Sequence, residues 1–156
     1  MGLEITVHGT QHSKALGSYS SVHYLRWLFI IFALRWLENN HMKSSNFQET
    51  IFLLKGWIKP GEPKPNMVWI KYNSIPPLCP DTLIQFGLSG VYWFVNHSDC
   101  DGAWSFGQCA DIVMFFYQIF DGSIHVGDKY YKEKDIKEML RIFEDAVERH
   151  SYVECT

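Results

Sequence analysis

An apolar run at residues 22–37, VHYLRWLFIIFALRWL, constrains the fold more than any other part of the sequence. Arg26 and Arg35 leave eight uninterrupted apolar positions between them, whereas a transmembrane helix needs about 20. At about 100° per residue the two arginines fall on opposite sides of a helix, and the turns between them are apolar all round. Such a helix has no polar face that could lie against solvent. We therefore expect a buried helix that begins at about Ser20 and ends at about Asn40.

Other periodic segments predict an α+β fold: a helix-rich single domain with a small sheet and a central helix–loop–helix. Alternating LEITVH at residues 3–8 indicates a strand, and the C-terminal YVEC is a candidate to pair with it. The polar residues 9–17 are expected to form a loop. Amphipathic spacing predicts a final helix at about 134–150 and a short helix within residues 47–58, although residues 51–54 could instead form a buried strand.

The central helix–loop–helix is expected at residues 88–120. Its first half is ambiguous, because Ser89 is a suitable helix cap whereas VYWFV has strong strand propensity. Its second half is a clear helix, in which Ser105 and Gln108 form an S-x-x-Q capping box. A hairpin-like segment is expected around SIHVGDKYY.

All six prolines fall between Pro60 and Pro80. Because proline lacks an amide hydrogen and disfavours helix in the residue before it, we expect a Pro-rich connector at about 59–80. Within it, MVWIKY at residues 67–72 reads as a short strand that adds to the sheet. The connector is expected to lie against one globular domain that spans residues 1–156.

Composition narrows the class of protein. A net charge of −3 argues against a nucleic-acid partner, which would need a basic face. Four unevenly spaced cysteines and the lack of a signal peptide or membrane span predict a cytoplasmic protein without a membrane partner. An aromatic content of 16% suggests self-association, or a ligand groove, with Trp57, Trp69 and Tyr72 as the binding candidates.

The loop NHSDCDGAWSFGQ, residues 96–108, has the spacing of an EF-hand calcium loop. In that interpretation Asp99, Asp101, the carbonyl of Ala103 and the side chain of Gln108 are the metal ligands. An imidazole in the first position and an amide in the twelfth are poor calcium ligands, so any divalent cation would bind weakly. No other cofactor is expected.

Two further chemical interpretations of the same loop remain open. His97, Asp99 and Cys100 contain the elements of a Cys–His–Asp catalytic site, with Asp101 as an alternative acid. A thiolate beside a carboxylate would be disfavoured. His97, Cys100 and Cys109 could instead bind a softer metal ion, with Asp99 or Asp101 as an oxygen ligand. The cysteine spacing fits no common zinc pattern.

The interpretation we favour is architectural. Asp99 and Asp101 would accept hydrogen bonds from backbone amides of the turn, and Gly102 would adopt a positive φ. Asn96 would end the preceding element and Ser105 would cap the next helix.

The heptapeptide NHSDCDG, followed by an apolar residue, a serine and a cysteine-containing helix, resembles a family of small uncharacterised bacterial proteins. The upstream SYSSVHYLRW, residues 18–27, is similar to the aromatic-rich first helix of that family. Phe106, Gly107 and Gln108 stand where the family tends to have Pro-Glu-Glu. The chain also looks like proteins carried on mobile bacterial gene cassettes. The resemblance implies no particular activity.

These observations predict a non-catalytic protein of bacterial origin that binds a partner or a small ligand and self-associates. The alternative from another class is an enzyme that uses His97 and Asp99 with Cys100 or Asp101. A weak EF-hand-like divalent-ion module is the third interpretation.

The architectural interpretation of the loop makes a testable statement about calcium. Millimolar calcium should leave the melting temperature unchanged, while Asp101→Ala should cost on the order of 1 kcal/mol because turn hydrogen bonds are lost. Thermal denaturation with and without calcium measures both effects. A calcium-dependent rise in melting temperature that Asp99→Ala abolishes would establish a metal site instead.

Overall fold

The apolar run forms the long helix α1, Tyr19–Asn40, in the computed structural model, which describes residues 2–40, 49–51, 54–55, 80–96 and 102–156. Arg26 is buried and Arg35 is exposed, so one side of α1 reaches solvent near its C-terminal end. Eleven of its residues are buried, which confirms the prediction of a central helix. No described helix is both long and apolar enough to cross a membrane.

The remaining described elements complete a helix-rich α+β fold, as predicted. The helices are α2 (Pro80–Ile84), α3 (Ser89–Val95), α4 (Phe106–Ile119) and α5 (Glu133–Glu148), and residues 49–51 and 54–55 are also helical. The strands are β1 (Gly2–Val7), β2 (Ser13–Ser18), β3 (Gly102–Trp104) and β4 (Val153–Cys155). The expected strand at residues 67–72 and most of the proline-rich connector lie outside the described residues.

The four described strands form one antiparallel sheet in the order β2-β1-β4-β3. In β1 the side chains of Leu3, Ile5 and Val7 are buried and their neighbours point away from the core, which is the alternation seen in the sequence. Val7 pairs with Val153 of β4, so the two ends of the chain meet in the sheet as predicted.

The prediction of a loop at residues 9–17 was wrong, because β2 begins at Ser13 and pairs with β1. The amide of Val7 donates to the carbonyl of His12 at 3.0 Å, and Gly9 takes a positive φ of 75° in the turn. Leu16 is the one buried side chain of this edge strand. An edge strand with so little burial has no hydrophobic alternation for sequence reasoning to detect.

Two other segments adopt a secondary structure that differs from the one expected from their local propensity. VYWFV is helical in α3, because packing against α4 outweighs the β propensity of its residues. The hairpin-like segment at 123–131 contains bends and no strand, so that prediction was wrong. Its residues instead form tight turns around Asp128, described below.

Aromatic rings connect the layers of the core. The fully buried ring of Phe29 in α1 lies 4.6 Å from that of Phe94 in α3 and 5.5 Å from that of Phe116 in α4. Trp104 of β3 stacks on Phe94 at 5.5 Å and meets Phe143 of α5 edge-on at 5.5 Å. The Trp104 indole also donates to the carbonyl of Trp93 at 3.1 Å, so its polar atom is satisfied inside the core. One continuous ring network therefore joins α1, α3, α4, α5 and the sheet.

Helices α3 and α4 approach closely at Gly90. A Cβ at this position would lie 2.5 Å from the carbonyl oxygen of Asp111 and 2.6 Å from the Cα of Ile112. Both neighbours are backbone atoms of α4, which cannot rotate away. The Asp111 carboxylate meanwhile accepts a hydrogen bond from the Trp93 indole at 2.8 Å, which fixes the same crossing from the side.

Gly90→Ala should destabilise the fold by roughly 1–3 kcal/mol, because the added methyl group forces the two helices apart. Gly107→Ala is the matched control. Gly107 is also helical, a methyl group added there would meet no described residue within 4 Å, and alanine is the better helix former. Urea denaturation of dilute protein measures both. Equal effects of the two substitutions would contradict a close crossing at Gly90.

Candidate functional site

A groove of about 740 Å³ lies where the N-terminal end of α1 meets β2, α5 and the turn that precedes α5. Its lining mixes aromatic rings, short apolar side chains, hydroxyls and one pair of opposite charges. The lining residues are Lys14, Ala15, Leu16, Gly17, Ser20, Ser21, Tyr24, Tyr130, Tyr131, Asp135 and Met139.

Three tyrosine rings dominate the groove. The Tyr24 ring lies 5.3 Å from that of Tyr130 and perpendicular to it, and 6.2 Å from that of Tyr131 with the two planes 16° apart. Tyr130 is 63% exposed, whereas Tyr24 and Tyr131 are half-buried. Trp27 lies behind Tyr24 at 5.4 Å, one turn further along α1. The rings of Tyr24 and Tyr131 are therefore packed against the protein, and the Tyr130 ring is the accessible one.

Asp128 organises the turn that carries two of these rings. One carboxylate oxygen accepts the backbone amides of Tyr130 and Tyr131 at 2.8 and 2.7 Å, and the other accepts the Tyr24 hydroxyl. Burial alone would raise the pKa of Asp128, but these hydrogen bonds and the nearby charge of Lys132 outweigh it and lower the pKa below the ordinary value. The carboxylate is therefore charged at neutral pH and serves as an anchor.

The hydroxyls of Tyr24 and Tyr131 are hydrogen-bonded to other groups of the protein. The Tyr131 hydroxyl donates to the carbonyls of Ser21 and Leu16, at 3.0 and 3.2 Å. Burial is the main cause of the raised pKa of Tyr24 and of Tyr131, and for Tyr24 the bond to Asp128 raises it further. Both phenols remain neutral at physiological pH. Their ring faces, and not their oxygen atoms, are what the groove presents.

One end of the groove is polar. The Lys14 ammonium donates to the Glu138 carboxylate at 2.7 Å and lies 3.9 Å from that of Asp135. The bond from Lys14 is the main cause of the lowered pKa of Glu138. The groove lining itself holds one lysine and one aspartate, so it has no net charge.

Two smaller depressions, of about 370 and 360 Å³, flank His12 on the neighbouring surface. The His12 imidazole lies 2.9 Å from the Asp145 carboxylate, which also accepts Arg149 at 2.7 Å. The hydrogen bond with His12 is the first cause of the lowered pKa of Asp145, and the bond from Arg149 is the second. These depressions are walled by mixed charges without an apolar floor comparable to that of the tyrosine groove.

The structure describes part of the 96–108 loop. Asn96 caps the C-terminal end of α3 through its backbone amide, which donates to the Tyr92 carbonyl at 3.0 Å. Gly102 has a φ of 123°, and Ala103 is exposed in β3 opposite Glu154. His97, Asp99, Cys100 and Asp101 lie outside the described residues, as do Trp57, Trp69 and Tyr72.

The start of α4 contains the capping box that the sequence indicates. The Ser105 hydroxyl accepts the Gln108 amide at 3.3 Å, and the Gln108 side-chain oxygen accepts the Ser105 amide at 3.0 Å. The oxygen that a calcium site would need from Gln108 is thus engaged in the helix cap. Among residues 2–40, 49–51, 54–55, 80–96 and 102–156, no three or more His, Cys, Asp or Glu side chains form a metal-binding group.

Cys109 belongs to the core. It is fully buried, its thiol donates to the Trp104 carbonyl at 3.3 Å, and burial raises its pKa to about 11. A thiol in this environment is a poor nucleophile and a poor metal ligand.

Sequence reasoning did not find the tyrosine groove. Tyr130 and Tyr131 stand in a mixed-charge segment that looks like an ordinary solvated surface. Asp128 precedes them at the spacing of an Asx turn, which is the one local signal available. Tyr24 is 104 residues from Asp128, so nothing in the sequence pairs the two.

A search for similar proteins found no matching family model, no matching curated protein and no matching solved structure. The groove must therefore be interpreted from its own geometry.

Tyr24→Phe should reduce the free energy of unfolding by about 2 kcal/mol at pH 7, because the charged Asp128 loses a hydrogen-bond donor. The pKa of Asp128 is lower in the folded than in the unfolded state. Its stabilising contribution is therefore present above the unfolded pKa and is lost as the pH falls through the folded one. The difference between wild type and variant should shrink as the pH falls below about 4, the unfolded-state pKa of an aspartate.

Tyr130→Phe is the control, since the Tyr130 hydroxyl makes no hydrogen bond to a described residue. Chemical denaturation at several pH values measures both variants. If Tyr24→Phe and Tyr130→Phe behave alike at pH 7, the assigned role of Asp128 is wrong.

Proposed function

We propose that the protein is a non-catalytic binding protein that holds a small planar molecule in the tyrosine groove. The observation that carries the proposal is the arrangement of Tyr24, Tyr130 and Tyr131. Two of the three hydroxyls are engaged by the protein itself, and ring surface faces a cavity of about 740 Å³. That volume lies within the roughly 300–1,000 Å³ typical of small-molecule sites.

The lining favours a particular ligand chemistry. Aromatic faces, with Leu16 and Met139 beside them, suit a flat apolar ring system. The hydroxyls of Ser20 and Ser21 and the Lys14–Asp135 end can orient one or two polar substituents. Because the lining has no net charge, an uncharged or zwitterionic ligand fits better than an ion.

Binding is favoured over catalysis at this groove. A catalytic site needs a group that can exchange a proton near neutral pH or attack as a nucleophile. The pKa of Tyr24 and of Tyr131 is raised away from neutrality, and the Ser21 hydroxyl lies 3.0 Å from that of Ser18.

The enzymatic alternative, with His97 and Asp99 acting together with Cys100 or Asp101, stays a prediction, since those residues lie outside the described ones. A weak calcium-binding role for the same loop also stays a prediction. The bacterial family resemblance through NHSDCDG implies no activity, so the proposal depends on the groove alone. A cytoplasmic location is part of the proposal.

Indole, a neutral planar probe with one N–H donor, should bind to the protein, whereas cyclohexanol, which has no flat face, should bind more weakly. Tyr130→Ala should weaken indole binding roughly tenfold, because the accessible stacking surface is lost. Isothermal titration calorimetry gives both affinities.

Tyr117→Ala provides the matched control, because Tyr117 is comparably exposed, at 52%, but lies on α4 outside the groove. Its indole affinity should equal that of the wild type. Absence of indole binding at millimolar concentration, or equal weakening by both substitutions, would contradict a ligand site among the three tyrosines.

A further inference from the structure

Helix α4 presents an uncharged apolar face to solvent. Phe106, Met114 and Tyr117 are 43%, 50% and 52% exposed. At about 100° per residue these three fall with Gly107 and Ala110 within roughly 100° of the helix surface. Large apolar side chains aligned on one exposed helix face mark an interaction surface more often than scattered single residues do.

Charge does not explain this face. The one charged residue of α4 is Asp111, and it turns toward α3, where it accepts the Trp93 indole at 2.8 Å. The partner for which α4 is suited therefore presents apolar surface of its own.

The face is complementary to itself. When two copies of α4 pack antiparallel and are centred at the level of Ile112, residues whose numbers add to 224 lie opposite each other. Gly107 then meets Tyr117 of the second copy, and Ala110 meets Met114 of the second copy. Each small residue is matched with a large one in the same register. A Cβ at Gly107 would meet no atom of a described residue within 4 Å, which leaves space for the opposing ring.

The borders of the face are also complementary. The Phe106 ring lies 5.5 Å from the His150 imidazole at one end, and the Tyr117 hydroxyl donates to the Glu144 carboxylate at 2.9 Å near the other end. Antiparallel packing brings the His150 imidazole of one copy toward the Glu144 carboxylate of the other.

We propose that the exposed face of α4 is the interface of a symmetric antiparallel dimer of this chain. The sequence pointed to self-association through Trp57, Trp69 and Tyr72, and the described residues offer this different surface. One helix face buries less than the ~800 Å² per partner of a standard interface, so the dimer dissociates on dilution. The inference is independent of the ligand proposed for the tyrosine groove.

Sedimentation equilibrium from about 1 µM to about 1 mM tests the dimer. The wild type should pass from monomer to dimer over this range. Met114→Glu and Ala110→Lys should each be monomeric throughout, because each places an unpaired charge in the apolar contact. Ile84→Glu is the control: Ile84 is 63% exposed on α2, and this variant should dimerise like the wild type.

Mixing the two monomeric variants tests the register. In a mixed pair the lysine introduced by A110K meets the glutamate introduced by M114E, and the second contact keeps Ala110 against Met114. An equimolar mixture of A110K and M114E should therefore dimerise although neither variant does so alone.

A wild type that is monomeric at about 1 mM would overturn the proposal, as would a mixture that stays monomeric or an Ile84→Glu variant that abolishes association. Circular dichroism establishes that the variants are folded. If Ala110→Lys does not fold, Gly107→Glu mixed with Tyr117→Lys tests the same register. Indole titration of Met114→Glu should match that of the wild type, so a failed dimer and a failed ligand site give different results.

Discussion

The need to enclose α1 is the constraint on which the rest of the structure depends. A helix that is apolar on all sides requires partners on all sides, since each large side chain moved out of water contributes about 1.5–3 kcal/mol. Phe29 shows how the requirement is met, with rings from α3 and α4 packed around it. Trp104 and Phe143 then join the sheet and α5 to the same network. The sheet of four described strands covers one part of this helical core.

The tyrosine groove arises where that buried helix leaves the core. The N-terminal end of α1 carries Ser20, Ser21 and Tyr24 in place of a run of apolar residues. The turn at residues 127–131 approaches the helix at this end. Asp128 holds the junction by accepting hydrogen bonds from both segments. Because the hydroxyls of Tyr24 and Tyr131 are hydrogen-bonded within the protein, these two rings are held in place without a ligand. Such pre-organisation would lower the entropic cost of binding the ligand proposed for this groove.

Helices α4 and α5 pack side by side, but the residues on their solvent-facing sides differ in polarity. The outer face of α5 carries ion pairs such as Lys137–Glu133 and Arg149–Asp145 and is suited to hydration. The outer face of α4 carries Phe106, Met114 and Tyr117 and is not. Core packing does not explain this contrast between the outer faces, since both helices bury a regular apolar stripe. This contrast in surface chemistry is the basis of the dimer proposed through α4.

Local sequence patterns determined the elements whose residues follow a regular hydrophobic period. These are the all-apolar α1, the capped α4, the amphipathic α5, and the pairing of the terminal strands, where alternation or helical spacing is written directly into neighbouring residues. Tertiary structure decided whatever depends on distant partners. It made VYWFV a helix by packing Gly90 against the backbone of α4, and it made residues 13–18 a strand by offering them the edge of β1. It also brought Tyr24 to Asp128 across 104 residues, a juxtaposition that local propensity cannot encode because it exists only after the core has closed.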